Sequence, residues 1–219
     1  MRKMTLPLLC AALVFSSCVG VSLEIVARQD GSGTIALEYR LSRELEALGK
    51  LDGNERWPAV PVGKADFERS AARIEGLSLR SFSEKTAATD VLYRAQFDFA
   101  TLEALARFLD GAGQRVSLER EGEENRLALS FNHSAGRVEA DEALLELVAS
   151  SFEGYALDFG VTLPQPPQLR IADGRGAPLE SPPTGTALVR GNRVSFSAPM
   201  ADLLSAAEPT LLEIVWRAD

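Results

Sequence analysis

The sequence predicts an α+β fold: a mainly antiparallel, curved sheet built from hairpin-plus-helix units, with the helices on one face. Three observations predict it. Apolar and polar residues alternate in many short segments, which is the period of a strand. Turns rich in glycine and asparagine join neighbouring segments as hairpins. The order of a hairpin and then a helix recurs at 21–48, 77–109, 114–152 and, more loosely, 187–206, and this arrangement favours antiparallel pairing.

The first unit contains the clearest hairpin. Residues 21–28 and 34–41 alternate in strand period, and Asp30-Gly31-Ser32-Gly33 between them is a turn whose residues tolerate positive φ. Ser42 can cap a short helix over 43–48. The unit therefore predicts two adjacent antiparallel strands followed by a helix.

The rest of the chain divides into further strands and helices. Residues 50–65 form a long loop with Trp57, which fits either a functional lid or a surface loop pinned by Trp57 against the body. The remaining predicted strands are 77–85, 91–99, 114–120, 127–131, 155–163, 168–172, 187–190, 193–197 and 211–217. The remaining predicted helices are 66–74, 102–109 with Thr101 as its cap, 141–152 and a brief one from Pro199 to Ala206.

The N-terminus has the pattern of an export signal. Arg2 and Lys3 precede an apolar run at 6–15, which at about ten residues is half the length that a membrane-spanning helix needs. The small residues Ser16-Ser17 then lead to Cys18. The pattern resembles a bacterial lipoprotein signal, whose cysteine is acylated before cleavage. An ordinary signal peptide cut near Ser17 and a spanning anchor are the alternatives.

The predicted organisation has three parts: a lipoprotein signal peptide at 1–17, a main α+β domain at 18–163, and a β-rich part at 164–219 packed on the same domain. Valine rather than aspartate at position 19 favours an outer-membrane destination, with the cell membrane as the alternative. Cys10 is removed with the signal and Cys18 is acylated, so the mature chain holds no disulfide. After Cys18 no apolar run approaches membrane length.

Composition narrows the class of partner. The signal segment holds two of the 23 basic side chains and none of the 31 acidic ones, so the mature chain has a net charge of −10. Such a charge argues against nucleic acid and against electrostatic docking on anionic lipid. At 46 % hydrophobic the chain can bury a core and is not disordered.

No constellation of residues indicates catalysis or a metal. The single histidine, His133, lies in a polar turn, and with no thiol left over a zinc site would depend almost wholly on carboxylates. No serine occupies a nucleophile elbow for a hydrolase triad. Two acidic clusters lack the spacing of a calcium loop and fit helix starts and solvated turns. These clusters are Glu139, Asp141 and Glu142, and Glu119, Glu121, Glu123 and Glu124. We therefore expect a non-enzyme without cofactors.

Five aromatic residues suggest a candidate site. Tyr93, Phe97 and Phe99 share one phase of a strand, and Tyr155 and Phe159 share a phase on another, so we expect all five on one side of the sheet. If the helices leave this side open, it lines an apolar cavity for an acyl chain. If the helices cover it, it is core.

Several of these features together resemble the LppM-like lipoprotein domain of bacteria. They are Cys18 running directly into the strand 21–28, the turn Asp30-Gly31-Ser32-Gly33, the strand 34–41, Val161-Thr162-Leu163-Pro164, and Gly191-Asn192-Arg193-Val194-Ser195-Phe196. The resemblance implies an exported α+β domain that binds a lipid or glycolipid. The chain departs from the family pattern in having no C-terminal transmembrane helix and in having Phe196 where tryptophan is common.

The sequence thus predicts a membrane-anchored envelope lipoprotein, held by palmitate-type acyl chains on Cys18 and binding a lipid or other apolar ligand. The alternative is a structural or adhesive surface lipoprotein that works through a protein interface around the Trp57 loop. A hydrolase is the third choice.

Overall fold

The computed structural model describes residues 19–43, 63–110, 116–131, 154–206 and 208–217. Its strands are β1 (Val19–Ala27), β2 (Gly33–Ser42), β3 (Leu77–Thr86), β4 (Asp90–Phe99), β5 (Val116–Glu121), β6 (Glu124–Phe131), β7 (Ala156–Thr162), β8 (Gln168–Ala172), β9 (Pro178–Leu179), β10 (Thr186–Arg190), β11 (Arg193–Pro199) and β12 (Thr210–Arg217). Its helices are α1 (Lys64–Ala72), α2 (Leu102–Leu109) and α3 (Met200–Ser205).

The strands form two sheets. One has seven strands in the order β10-β11-β7-β1-β2-β4-β3, and the other has five in the order β5-β6-β12-β8-β9. The pairing of β1 with β7 is parallel, and the other pairs in the described residues are antiparallel. The fold is α+β as predicted, but the predicted single sheet is two. Alternation identifies strands and hairpins, whereas it does not say which hairpins join the same sheet.

Both sheets combine strands from the two predicted parts of the chain. The seven-stranded sheet takes β10 and β11 from beyond residue 164, and the five-stranded sheet takes β8, β9 and β12 from there. The other strands of each sheet come from residues before 164. Backbone hydrogen bonds therefore tie residues 164–217 to the main domain.

The first hairpin shows how local chemistry sets the register of the sheet. Gly31 has a φ of 81°, a left-handed conformation that glycine adopts without a steric penalty. The carboxylate of Asp30 accepts the backbone N–H of Ser32 at 3.0 Å and its hydroxyl at 2.7 Å. The turn aligns Ile25 with Ile35, and both side chains are fully buried.

The helices α1 and α2 cover the aromatic side of β4. The ring of Phe67 on α1 lies 6.2 Å from that of Phe97, centroid to centroid, and Phe108 on α2 lies 5.1 Å from the same ring. Thr101 caps α2 by accepting the backbone N–H of Ala104 at 3.2 Å, as predicted. Full burial of a phenylalanine such as Phe67 is worth about 1.5 to 3 kcal/mol, so α1 is held mainly by its apolar face.

The two sheets share one core. Phe131 of β6, in the five-stranded sheet, stacks on Phe196 of β11 at 4.7 Å and meets Phe159 of β7 edge-on at 6.1 Å. Leu212 and Ile214 of β12 are fully buried in the same cluster. The contact of these rings joins the sheets into one hydrophobic unit.

Most strand predictions agree with the structure to within a few residues. Helix α1 begins at Lys64, two residues before the predicted start, and the two-residue strand β9 was not predicted. The predicted helix at 43–48 lies outside the described residues except for Arg43, and the predicted helix at 141–152 lies wholly outside them, as do Trp57, His133 and Cys18.

Candidate functional site

Four of the five predicted aromatic residues lie on the same face of the seven-stranded sheet. Phe159 is opposite Leu23, Leu23 is opposite Leu37, and Leu37 is opposite Ala95, which lies between Tyr93 and Phe97 on β4. Residues directly opposite in paired strands point to the same side. The phase of the sequence therefore placed these rings correctly.

These four rings are packed among other side chains. Tyr93, Phe97, Phe99 and Phe159 are each at most 4 % exposed. Tyr93 stacks on Tyr39 with ring centroids 4.9 Å apart, and helices α1 and α2 lie over Phe97. This packing favours the core interpretation of the aromatic face over an apolar ligand cavity.

Tyr155 lies on the other face of the sheet. Its ring is 5.2 Å from the guanidinium carbon of Arg40, an exposed residue between the buried Tyr39 and Leu41. The phase of β7 predicts the opposite orientation. The difference arises because Tyr155 precedes the strand and follows Gly154, whose φ of 80° breaks the alternation.

The hydroxyl of Tyr155 connects two distant parts of the chain. It donates a hydrogen bond to Oδ1 of Asp90 at 2.8 Å, and the hydroxyl of Thr89 donates to Oδ2 of the same carboxylate at 3.1 Å. The carboxylate is thus held by two hydroxyl donors. Sequence reasoning missed this cluster, because Asp90 and Tyr155 are 65 residues apart and no local motif links them.

A polar groove opens beside this cluster. Its volume is about 530 Å³, and it is lined by Ser42, Arg43, Ala88, Thr89, Asp90 and Tyr155. The backbone N–H of Arg43 donates to the carbonyl of Thr89 at 2.9 Å, which ties the end of β2 to the β3–β4 turn. The groove offers a guanidinium, hydroxyls and one aromatic ring, and these groups suit phosphate-bearing or other polar surfaces.

The groove lies at the end of the sheet where β1 begins, which we call the proximal end. Val19, the first residue of β1, is opposite Leu41, and Ser42 is opposite Asp90 at the start of β4. The turn that follows Ala27 lies at the distal end. Cys18 is bonded directly to Val19, so no linker separates the predicted acylation site from the sheet.

The exposed face of the seven-stranded sheet is covered by ion pairs between strands. Arg193 makes two parallel hydrogen bonds to the carboxylate of Glu24, at 2.5 and 2.6 Å, and these raise the pKa of the Arg193 guanidinium above its ordinary value. The pair lies over Gly160, where a Cβ would collide with it. Arg94 and Glu38 form a similar contact at 2.5 Å.

The described residues include short helices and scattered acidic side chains. None of their helices is long and apolar enough to cross a bilayer. In the same ranges no group of three or more His, Cys, Asp or Glu side chains is placed to hold a metal ion.

Comparison with solved structures finds a neighbour of similar fold, whereas comparison with sequences finds none. No protein-family model matches it, and a search of curated proteins finds no significant match. The NMR structure of the folded domain of the Mycobacterium tuberculosis LppM protein is a structural neighbour, at 15 % sequence identity and a TM-score of 0.46. The alignment covers 92 % of this chain and 90 % of that one. The resemblance to an LppM-like domain that the sequence predicts is matched by this structural comparison.

Proposed function

We propose that this chain is an exported envelope protein that acyl chains on Cys18 hold at a bacterial membrane. One observation carries the proposal. A basic start, a ten-residue apolar run and Ser16-Ser17 lead to Cys18, and Val19, the next residue, is already part of strand β1. A signal that is removed at this point leaves the whole of β1, Val19–Ala27, in the mature chain.

The physical basis of the anchor is the acyl chains rather than charge. Each buried methylene contributes about 0.8 kcal/mol, and two chains give stable attachment where one gives only reversible binding. A net charge of −10 on the mature chain provides no general attraction to anionic headgroups. The proposed attachment therefore depends on Cys18.

We also propose that the domain acts by binding rather than by catalysis. Carboxylates on the exposed face of the seven-stranded sheet are engaged by arginines, as in Glu24–Arg193, Glu38–Arg94 and Asp98–Arg80. These contacts support a structural role for the carboxylates. The polar groove at the proximal end is the better candidate for contact with a partner.

Metabolic labelling with a clickable palmitate tests the anchor. We expect label on the wild-type protein and none on Cys18→Ser. Cys10→Ser is the matched control, because Cys10 lies in the removed segment and its loss should leave the labelling unchanged. If Cys18→Ser labels as strongly as the wild type, the assignment of the acylated residue is wrong. A mature N-terminus without an acyl mass would indicate an ordinary signal peptide.

We do not extend the proposal to a lipid bound among Tyr93, Phe97, Phe99 and Phe159. Such a ligand would have to separate rings that are in contact and displace α1 or α2 from the sheet. Organic extraction of purified Cys18→Ser protein followed by mass spectrometry tests whether a lipid is bound among these rings. We expect no stoichiometric lipid, and one lipid per protein molecule would restore the ligand-cavity interpretation.

A further inference from the structure

We infer that the acylated domain lies directly on its bilayer, with the proximal end of the seven-stranded sheet in the lipid headgroup layer. The inference rests on the proposed acylation of Cys18. It adds the orientation of the domain and the surface that meets the membrane, and neither follows from acylation alone. A lipid anchor on a long flexible linker would leave the domain free to rotate and to stand away from the bilayer.

The length of the tether carries the argument. Consecutive Cα atoms are about 3.8 Å apart, so the first residue of β1 lies one such step from the acylated residue. Val19 is already paired with Leu41, and two residues later Val21 is paired with both Tyr39 and Leu157. With its acyl chains in the bilayer, Cys18 lies at the membrane interface, the start of β1 lies within a few ångströms of it, and the ends of the neighbouring strands β2 and β4 follow at about 5 Å per strand.

The chemistry of the proximal end suits this position. The groove exposes Arg43, whose guanidinium matches the geometry of lipid phosphates. Tyr155 presents an amphipathic ring of the kind that is enriched at membrane interfaces. The nearby acid, Asp90, already accepts hydrogen bonds from the hydroxyls of Tyr155 and Thr89. This end therefore offers cationic and amphipathic groups in a chain that is acidic overall.

The opposite end of the sheet is directed away from the membrane. Ten residues of β4 separate the two ends, and at about 3.3 Å per residue they span about 30 Å. Ala88 precedes β4 at the proximal end and Ala100 follows it at the distal end, and both side chains are exposed. The two alanines thus form a matched pair of reporter positions on one strand.

Depth-dependent quenching tests the orientation. Full-length acylated protein carrying Ala88→Cys or Ala100→Cys is labelled with an environment-sensitive fluorophore and reconstituted into vesicles of phosphatidylcholine and phosphatidylglycerol. Because Cys10 is removed and Cys18 is acylated, each variant has one free thiol. A headgroup-level spin-labelled lipid should quench the label at position 88 at least threefold more than the label at position 100. Equal quenching in protein of confirmed acyl mass would overturn the inference and leave the anchor intact.

A linker insertion tests whether the short tether causes the difference in quenching between positions 88 and 100. A glycine/serine segment of about ten residues between Cys18 and Val19 adds a reach of up to about 35 Å. We expect this variant to remain with the vesicles while quenching at position 88 falls to the level at position 100. If position 88 is still quenched more than position 100 in this variant, tether length does not set the orientation. Failure of the parent protein to carry an acyl mass would instead overturn the proposed function, and the orientation with it.

Discussion

Removal of the Tyr39 hydroxyl should raise the free energy of unfolding. Tyr39 is 3 % exposed, and within the described residues its Oη has no hydrogen-bond partner. Its ring stacks on Tyr93 at 4.9 Å and on Phe67 at 5.9 Å. The ring is therefore well placed in the core, whereas its oxygen is shielded from water and no described residue offers it a hydrogen bond.

The expected gain in stability follows from the cost of burying this hydroxyl. Burying an unsatisfied polar group costs about 1 to 3 kcal/mol. Tyr39→Phe keeps the ring and its stacking contacts, and it removes only the oxygen. Since the neighbouring side chains must close over a small void, we expect the free energy of unfolding to rise by about 1 kcal/mol.

Urea unfolding of the non-acylated Cys18→Ser protein measures this change. The matched control is Tyr155→Phe, which is the same chemical substitution at a hydroxyl that donates to Asp90. The control should lose about 1 kcal/mol, because a hydrogen bond to a charged acceptor is removed at a half-buried position. A loss of stability for Tyr39→Phe equal to that of the control would show that the Tyr39 hydroxyl is satisfied in solution.

The same residue predicts a dependence on pH. Burial raises the pKa of the Tyr39 phenol above its ordinary value, so the folded protein keeps this group neutral. In the unfolded chain the phenol ionises at about pH 10, so its titration makes a contribution that is absent below that pH and that lowers the free energy of unfolding as the pH rises above it. Tyr39→Phe lacks this contribution. Between pH 9 and 11 the wild type should therefore lose more stability than Tyr39→Phe, and parallel curves would contradict the assignment.

Three further predictions follow from surface and capping contacts. Gly160→Ala should displace the Glu24–Arg193 pair while changing stability by less than about 1 kcal/mol, because such exposed pairs contribute little. A double-mutant cycle of Glu24 and Arg193 should show a coupling energy in the protein with Gly160 and none in the protein with Gly160→Ala. Thr101→Ala should cost about 1 kcal/mol in urea unfolding through loss of the helix cap, and Thr101→Ser should retain most of it. The hydrogen bonds from the nearby serine lower the pKa of Asp30, so its stabilisation is present above about pH 4 and is lost as the pH falls through the lowered pKa. Acid unfolding of Asp30→Asn should therefore be less steep than that of the wild type.

Local chemistry made most of the elements predictable. The alternation around Ile25 and Ile35, the turn at Gly31 and the cap at Thr101 each depend on residues a few positions apart. The pairing of sheets depends on longer distances. Leu23 and Phe159 are opposite each other in the parallel pair β1–β7, although they are 136 residues apart in the sequence. No hairpin joins them, so a pattern read along the chain contains no sign of this contact.

The candidate site shows the same limit. Phase alone placed Phe97 and Phe159 on one face, because both lie inside regular strands. It misplaced Tyr155, because the left-handed Gly154 ends the alternation one residue earlier. A glycine immediately before a strand was the available warning. The contact of Tyr155 with Asp90 depends on the packing of β7, β1, β2 and β4 side by side, and only the structure provides it.

The position of β1 within the sheet determines how firmly the proposed anchor is attached to the domain. An anchor on an edge strand would be held from one side and could peel away from the sheet. β1 is instead hydrogen-bonded on both sides, to β2 over nine residue pairs and to β7 over six. Pulling the whole of β1 out of the domain by its N-terminus would therefore have to break both ladders. On a chain acylated at Cys18, as we propose, the direction of β1 would therefore set the orientation of the domain on the bilayer, with the distal turns facing away from the membrane.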